Sequence, residues 1–184
     1  GFLGRNYFIA TQSPLPNTIN DFWRLVHLQK SSTIVLLNNV KDGTSFPIFW
    51  PTEKEKPTQY GSLTVCLECE KESDGIWTRK FILSPYPDLS DGEVVNIFHY
   101  KKWPDHRVPS SADAVITLNS LVENSKKSYG QGPIVVACSD GAGRTGTYIA
   151  ISNLLERMKI EQTMDVFQSI KMIRGARPQF VENA

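Results

Sequence analysis

The stretch Pro133-Ile134-Val135-Val136-Ala137-Cys138-Ser139-Asp140-Gly141-Ala142-Gly143-Arg144-Thr145 opens on a short apolar run and closes on two glycines and an arginine. Its apolar start reads as a buried strand, and the apolar residues from Tyr148 to Met158 read as a helix entered through the glycine-rich turn. A cysteine thus ends a strand, small or glycine-type positions follow it, and an arginine stands where a helix begins.

Elements of both kinds flank this segment. Thr18 to Asp21 is a capping-box-like start after Pro14 and Pro16, and Phe22, Leu25, Val26 and Gln29 mark one face of a helix over roughly 19–30. Thr33-Ile34-Val35-Leu36-Leu37 suits a strand buried on both faces. Leu63, Val65, Leu67 and Cys69 alternate with polar neighbours, as do Trp77, Arg79, Phe81 and Leu83 beyond Asp74-Gly75, which predicts antiparallel strands. A further strand over about 94–100 leads to Trp103-Pro104-Asp105. Ser110 or Ser111 caps a helix with Ala114, Val115, Leu118, Leu121 and Val122 at helical spacing. A last helix starts near Thr163, shows Val166, Phe167, Ile170 and Ile173 on one face and ends at Gly175. No repeat or linker divides the chain. Residues 1–184 therefore read as one α/β domain with a mixed, highly twisted central sheet flanked by helices.

Composition narrows the class. The 184 residues are 40% apolar with nine Phe, six Tyr and four Trp, which suits a single packed core and not a disordered chain. A formal charge of +1 gives no field that would recruit nucleic acid or an anionic membrane, so anion binding must be local. Three cysteines, an odd number, fit a reducing compartment. Cys66 and Cys69 offer half a zinc site with no second pair to complete it, so strand packing is the simpler reading and no metal or cofactor is expected. No signal peptide and no run of eighteen apolar residues stands in the segment, so it is expected to be soluble and not membrane-spanning.

The loop at 138–145 has a chemical logic. Backbone N–H groups of a tight glycine-rich turn, with the positive end of the next helix, cradle a phosphate through Cys138, Ser139, Asp140, Gly141, Ala142, Gly143 and Arg144. Arg144 adds a planar fork that pairs two phosphate oxygens at once. The same positive field favours a thiolate on Cys138, a nucleophile. Covalent catalysis then needs a proton donor, and Asp105 in the Trp-Pro-Asp turn suits that role, while Thr145 can hydrogen-bond the sulfur as it leaves. Gly141-x-Gly143-x-x-Gly146 also matches a dinucleotide fingerprint, but that reading lacks its acidic residue and leaves Cys138 and Arg144 without a purpose.

Cys138-x5-Arg144-Thr145 after a Val-Val strand, with Trp103-Pro104-Asp105 upstream, resembles the protein tyrosine phosphatase family. Tyr7 to Thr18, Asp21-Phe22-Trp23-Arg24 and Phe49-Trp50-Pro51 are similar to further segments of that family, so the resemblance spans nearly the whole chain. Asp165-Val166-Phe167-Gln168 and Arg177-Pro178 look most like the membrane-distal, second phosphatase domains of receptor-type members. The resemblance implies metal-free hydrolysis of phosphotyrosine proteins through a phosphocysteine. It also implies a cytoplasmic place in a membrane receptor, with an adjacent phosphatase domain as a partner, and a chain that begins after the phosphotyrosine-recognition loop and stops before the glutamine loop.

Four departures bear on activity. Asp140 stands where active members carry a small Ala, and a like charge about 4 Å from a bound anion costs about 4 kcal/mol at an effective dielectric near 20. The loop with this Asp resembles that of the insulinoma-antigen-like receptors, regarded as pseudophosphatases. Ala137 replaces the family's histidine before the nucleophile. The stretch Lys41-Asp42-Gly43-Thr44-Ser45-Phe46 is shorter than the family's Glu and Lys loop, which implies that Arg144 lacks its usual partner. The missing flanking loops are the fourth departure. Two outcomes stay open: a phosphatase of weak activity, or a domain that binds partners or regulates an active neighbour.

Overall fold

The computed structural model describes residues 7–182 apart from 42, 44 and 131. The chain runs β1 (Phe8–Gln12), α1 (Ile19–Leu28), β2 (Thr33–Leu36), β3 (Thr58–Tyr60), β4 (Leu63–Ser73), β5 (Ile76–Ser84), β6 (Glu93–Tyr100), α2 (Ala112–Tyr129), β7 (Ile134–Cys138), α3 (Gly143–Glu161) and α4 (Val166–Ala176). Among the described residues, seven strands form one sheet in the order β1-β7-β2-β6-β5-β4-β3. The first four positions are parallel and the remaining pairs antiparallel. The sheet is mixed, as the sequence predicts, and twisted in the sense its chirality imposes.

Strand alternation divides the core. Ile34, Leu36, Ile97, Val135 and Ala137 face one side, against Phe22, Trp23 and Val26 of α1. Val35, Phe98, Ile134, Val136 and Cys138 face the other, against Val115, Leu118 and Val122 of α2 and Tyr148 and Ile149 of α3. Both sets are buried, which is why β2 and β7 read as continuous apolar runs. The central strands thereby carry Cys138 to the sheet's C-terminal edge on the face of α3, where open α/β sheets place their ligands.

Several local expectations are corrected. Thr18 makes no capping bond to α1; its hydroxyl instead accepts from the Leu15 N–H at 2.9 Å, so the turn before the helix takes the oxygen that a capping box would use. A bulge between Leu67 and Cys69 admits an extra residue and reverses the faces beyond it. Cys66 is buried but Cys69 is exposed, and both are free thiols. Of the two caps expected for α2, the structure has Ser111, accepting from the Ala114 N–H at 3.2 Å. The last helix begins at Val166 with Asp165 as its cap. Val166 and Phe167 are 51% and 73% exposed, and Ile173 is the residue of that apolar face that packs on the core.

Candidate active site

The loop after β7 is built by close backbone approach. Gly141 has φ +66, and a Cβ there would stand 2.4 Å from the carbonyl carbon of Thr11; only glycine fits this left-handed turn pressed on the end of β1. The Ser13 N–H donates to the Cys138 carbonyl at 2.7 Å and continues that seam. On the far side Gly146 admits Phe180, whose Cβ would lie 2.7 Å from an added methyl. Gly141, expected to give the loop its path, thus also seats it on β1, while Gly146 lets the segment after α4 approach α3.

The predicted site residues converge. The Thr145 hydroxyl donates to Cys138 Sγ at 3.0 Å, and the sulfur is buried at the head of α3. Arg144, 6% exposed, donates through Nη1 to the Trp103 carbonyl at 3.0 Å. Its Nη2 donates to Ser139 Oγ at 2.8 Å and forms an ion pair with Asp105. Ser139 in turn donates to Asp105 Oδ1 at 2.9 Å. Asp105 comes from a loop 39 residues before Arg144, so the Trp-Pro-Asp turn is folded over the arginine. With the short loop closed by the Lys41 N–H on the Phe46 carbonyl at 2.9 Å, the arginine's carboxylate partner here is Asp105; Asp42 and Thr44 of that loop lie outside the described residues.

Asp140 points inward. Its Oδ1 accepts from the Ala142 N–H at 2.9 Å and from the Cys138 thiol at 3.0 Å. Burial would raise its pKa, but hydrogen bonds from Ala142, the thiol and the amides of Asp140 and Gly143 outweigh that and hold the carboxyl below the usual carboxylate range. The residue before α3, Ala142, offers no side-chain cap and the helix has no acid in its first turn. The Asp140 carboxylate fills that place, an anion on a helix N-terminus.

Asp105, Asp140 and Arg144 line a cleft of about 200 Å³ together with Trp103, His106 and Glu182 among others, while Cys138 lies buried behind this lining. His106 Nδ1 and Glu182 Oε2, both in its lining, lie 3.3 Å apart. Sequence reasoning missed three contributors: the Trp103 carbonyl, the Glu182 carboxylate and Arg177, which reaches the loop from beyond α4. Trp103 stands in the motif that marked Asp105, but the role of its carbonyl has no side-chain signal; Glu182 and Arg177 carry no spacing signal, because each arrives from a remote segment. The arrangement can do nucleophilic chemistry on an oxyanion: a thiol with a hydroxyl on it, a fixed guanidinium and a carboxyl nearby.

These residues lie in a chain that resembles known proteins along its length. A family model described as protein-tyrosine phosphatase matches residues 2–184. The receptor-type tyrosine-protein phosphatase epsilon of Mus musculus is 39% identical over 188 residues, which cover 99% of this chain and 27% of that relative. The receptor-type tyrosine-protein phosphatase alpha of Homo sapiens is 35% identical over 184 residues, covering 99% and 23%, and the eta type of Gallus gallus is 36% identical over 185 residues, covering 99% and 13%. The chain spans about a quarter or less of the length of these curated relatives.

Proposed function

The chain belongs to the protein-tyrosine phosphatase family, and we propose that residues 1–184 act as one phosphatase domain that hydrolyses phosphotyrosine through Cys138, slowly because of Asp140 and Ala137. One observation carries the reading: four residues predicted to share a reaction meet, with Thr145 on the Cys138 sulfur at 3.0 Å and Arg144 joined to Asp105. The receptor-type names of the relatives support a place in the cytoplasmic part of a longer membrane receptor, beside a second phosphatase domain.

In this reading the loop amides and Arg144 bind the phosphoryl oxygens and steady the charge that spreads over them in the transition state. The Cys138 thiolate attacks phosphorus and the P–O bond to tyrosine breaks, with Asp105 giving its proton to the departing phenolate oxygen. Water then attacks the phosphocysteine, returns a proton to Asp105 and releases phosphate, while the Thr145 hydroxyl supports the sulfur as it leaves as thiolate.

Asp140 opposes each start of this cycle. Its carboxylate sits on the amide and the thiol that the phosphate needs, so substrate must displace it and then bear its charge nearby. That seat is also the observation favouring the second reading, a domain that binds partners or regulates an adjacent phosphatase domain without turnover. Hydrolysis of a phosphotyrosine peptide, with Cys138→Ser as the blank, separates the two. Turnover above the blank, raised about tenfold or more in Asp140→Ala and further with Ala137→His, is expected. A folded Asp140→Ala, Ala137→His domain no faster than the blank would sink the enzyme reading.

A further inference from the structure

Arg177 stands just past the end of α4, where Pro178 turns the chain away. Its Nη1 donates to the Gly141 carbonyl at 3.0 Å and its Nη2 to the Asp140 carbonyl at 3.3 Å. Each carbonyl shares a peptide plane with the next residue's N–H, and in a trans peptide the two point in opposite directions. A guanidinium holding the carbonyls of Asp140 and Gly141 on the outside of the loop therefore turns the amides of Gly141 and Ala142 to its inside. The Ala142 N–H points that way, donating to Asp140 Oδ1 at 2.9 Å.

We infer that Arg177 is a positioning residue for the phosphate-binding loop, acting through the two peptide planes it clamps from behind. Its planar fork sets two donors at fixed spacing on two successive carbonyls, a geometry one amine cannot reproduce. It is itself placed. Its ring neighbour Phe180, 5.8 Å from the guanidinium carbon, is buried against Gly146 of α3. Arg174, one helical turn earlier, donates to the Phe180 carbonyl at 2.9 Å and to that of Val181 at 3.3 Å. The turn after α4 is thus pinned to α3, and Arg177 carries that fixed position to the loop. The grip also decides where the Asp140 side chain goes, since its own peptide plane is one of the two held. The left-handed Gly141 between the two planes has no Cβ to resist their alternative orientations, so the clamp supplies what the backbone lacks.

The inference rests on the phosphatase reading only for its functional meaning, and the test keeps them apart. The pH profile of Cys138 alkylation by iodoacetamide, followed by mass at the Cys138 peptide so that Cys66 and Cys69 do not interfere, reports how well the inward amides favour the thiolate. In Arg177→Ala the profile moves to higher pH, with alkylation about tenfold slower at a pH below its midpoint; Arg177→Lys, able to hold one carbonyl, falls between. A purely structural role would lower the melting temperature and leave the profile where it was. A folded Arg177→Ala with the wild-type profile overturns the inference; should Arg177→Ala not fold, an unshifted profile in Arg177→Lys does so. Orthovanadate affinity, measured in an Asp140→Ala background, should drop about tenfold to a hundredfold on adding Arg177→Ala, and an unchanged affinity overturns the inference too. Failure of that background to bind orthovanadate with Arg177 intact would count against the phosphatase reading, and the alkylation profile would still decide the role of Arg177.

Discussion

Two buried arginines, Arg79 and Arg144, are each 6% exposed, and each is paired with a carboxylate, yet they belong to different kinds of site. Arg79 lies on β5 and meets Glu70 of the neighbouring strand β4 at 2.9 Å. Its guanidinium carbon is 4.9 Å from the Trp50 ring centre and 4.7 Å from that of Trp77, and His99 Nδ1 stands 3.5 Å from Nη1. All but one of these partners are on strands, and the aromatic faces cover the ion. Arg144 instead faces a carboxylate from a loop, Asp105, whose side chain is 53% exposed. Burial of a cation does not tell the two apart. What does is whether its counter-charge is held by the fold or is free to be replaced by a ligand's anion.

Exchanging the roles would break this contrast. Arg144→Lys should cost about a hundredfold to a thousandfold in kcat/KM for a phosphotyrosine peptide, because a single amine cannot pair two phosphoryl oxygens. Its melting temperature should barely move. Arg79→Met should do the reverse, losing about 3 kcal/mol in denaturant unfolding as Glu70 and the two indoles lose their ion, with turnover per folded molecule retained. A large catalytic loss in Arg79→Met would show that the two sites are not separable.

A smaller effect sharpens the picture at the Arg79 end. Burial pushes His99 down from its ordinary 6.5 to about 3, aided by the nearby Arg79 and Lys101 and opposed by its hydrogen bond to the Asn38 carbonyl. With Nε2 on that carbonyl at 2.9 Å, the ring is neutral with its proton on Nε2. Below pH 6.5 the unfolded chain takes up a proton that the folded ring refuses. The stability due to neutral His99 is therefore full above that pH and declines by about 1.4 kcal/mol per pH unit toward pH 3. In His99→Gln the acid slope of unfolding free energy should flatten by that amount; an unaltered slope would put the titration elsewhere. Smallest of all, Trp77→Leu should cost about 1 kcal/mol beyond its lost area by removing one face from Arg79, and Arg79→Met should abolish that increment in a double-mutant cycle.

The elements with a strong period were legible. The alternation of 77–83, the apolar runs at 33–37 and 133–136 and the helical spacing of 114–122 each rest on local burial, and the structure places strands and a helix there. β1 and β3 were not foreseen as strands, because Phe8–Gln12 and Thr58–Tyr60 are only partly buried and show neither the continuous apolar run of β2 and β7 nor a sustained alternation. They are made by their partners. The misplaced Cys69 follows from a bulge that no alternation reveals, and the exposed Val166 and Phe167 show that an apolar stripe states what a helix could bury, not what lies beside it. At the site, Cys138, Arg144 and Thr145 were legible because a loop of eight residues holds them, and Asp105 because Trp-Pro-Asp marked it. The direction of Asp140 and the reach of Arg177 were not, since both depend on peptide orientations fixed from a distant turn.

The sheet order also sets a timetable. β7 lies between β1 and β2, so among the described strands β1 has no neighbour until Ile134–Cys138 arrives to pair with Phe8–Gln12. Contacts that span so much of the sequence close late and slowly, and a chain emerging from the ribosome holds β1 without this partner while the residues between them are made. Cys138 ends the strand that closes the gap. Thiol reactivity should therefore be among the last properties a nascent chain acquires, appearing together with the protection of β1 amides from exchange.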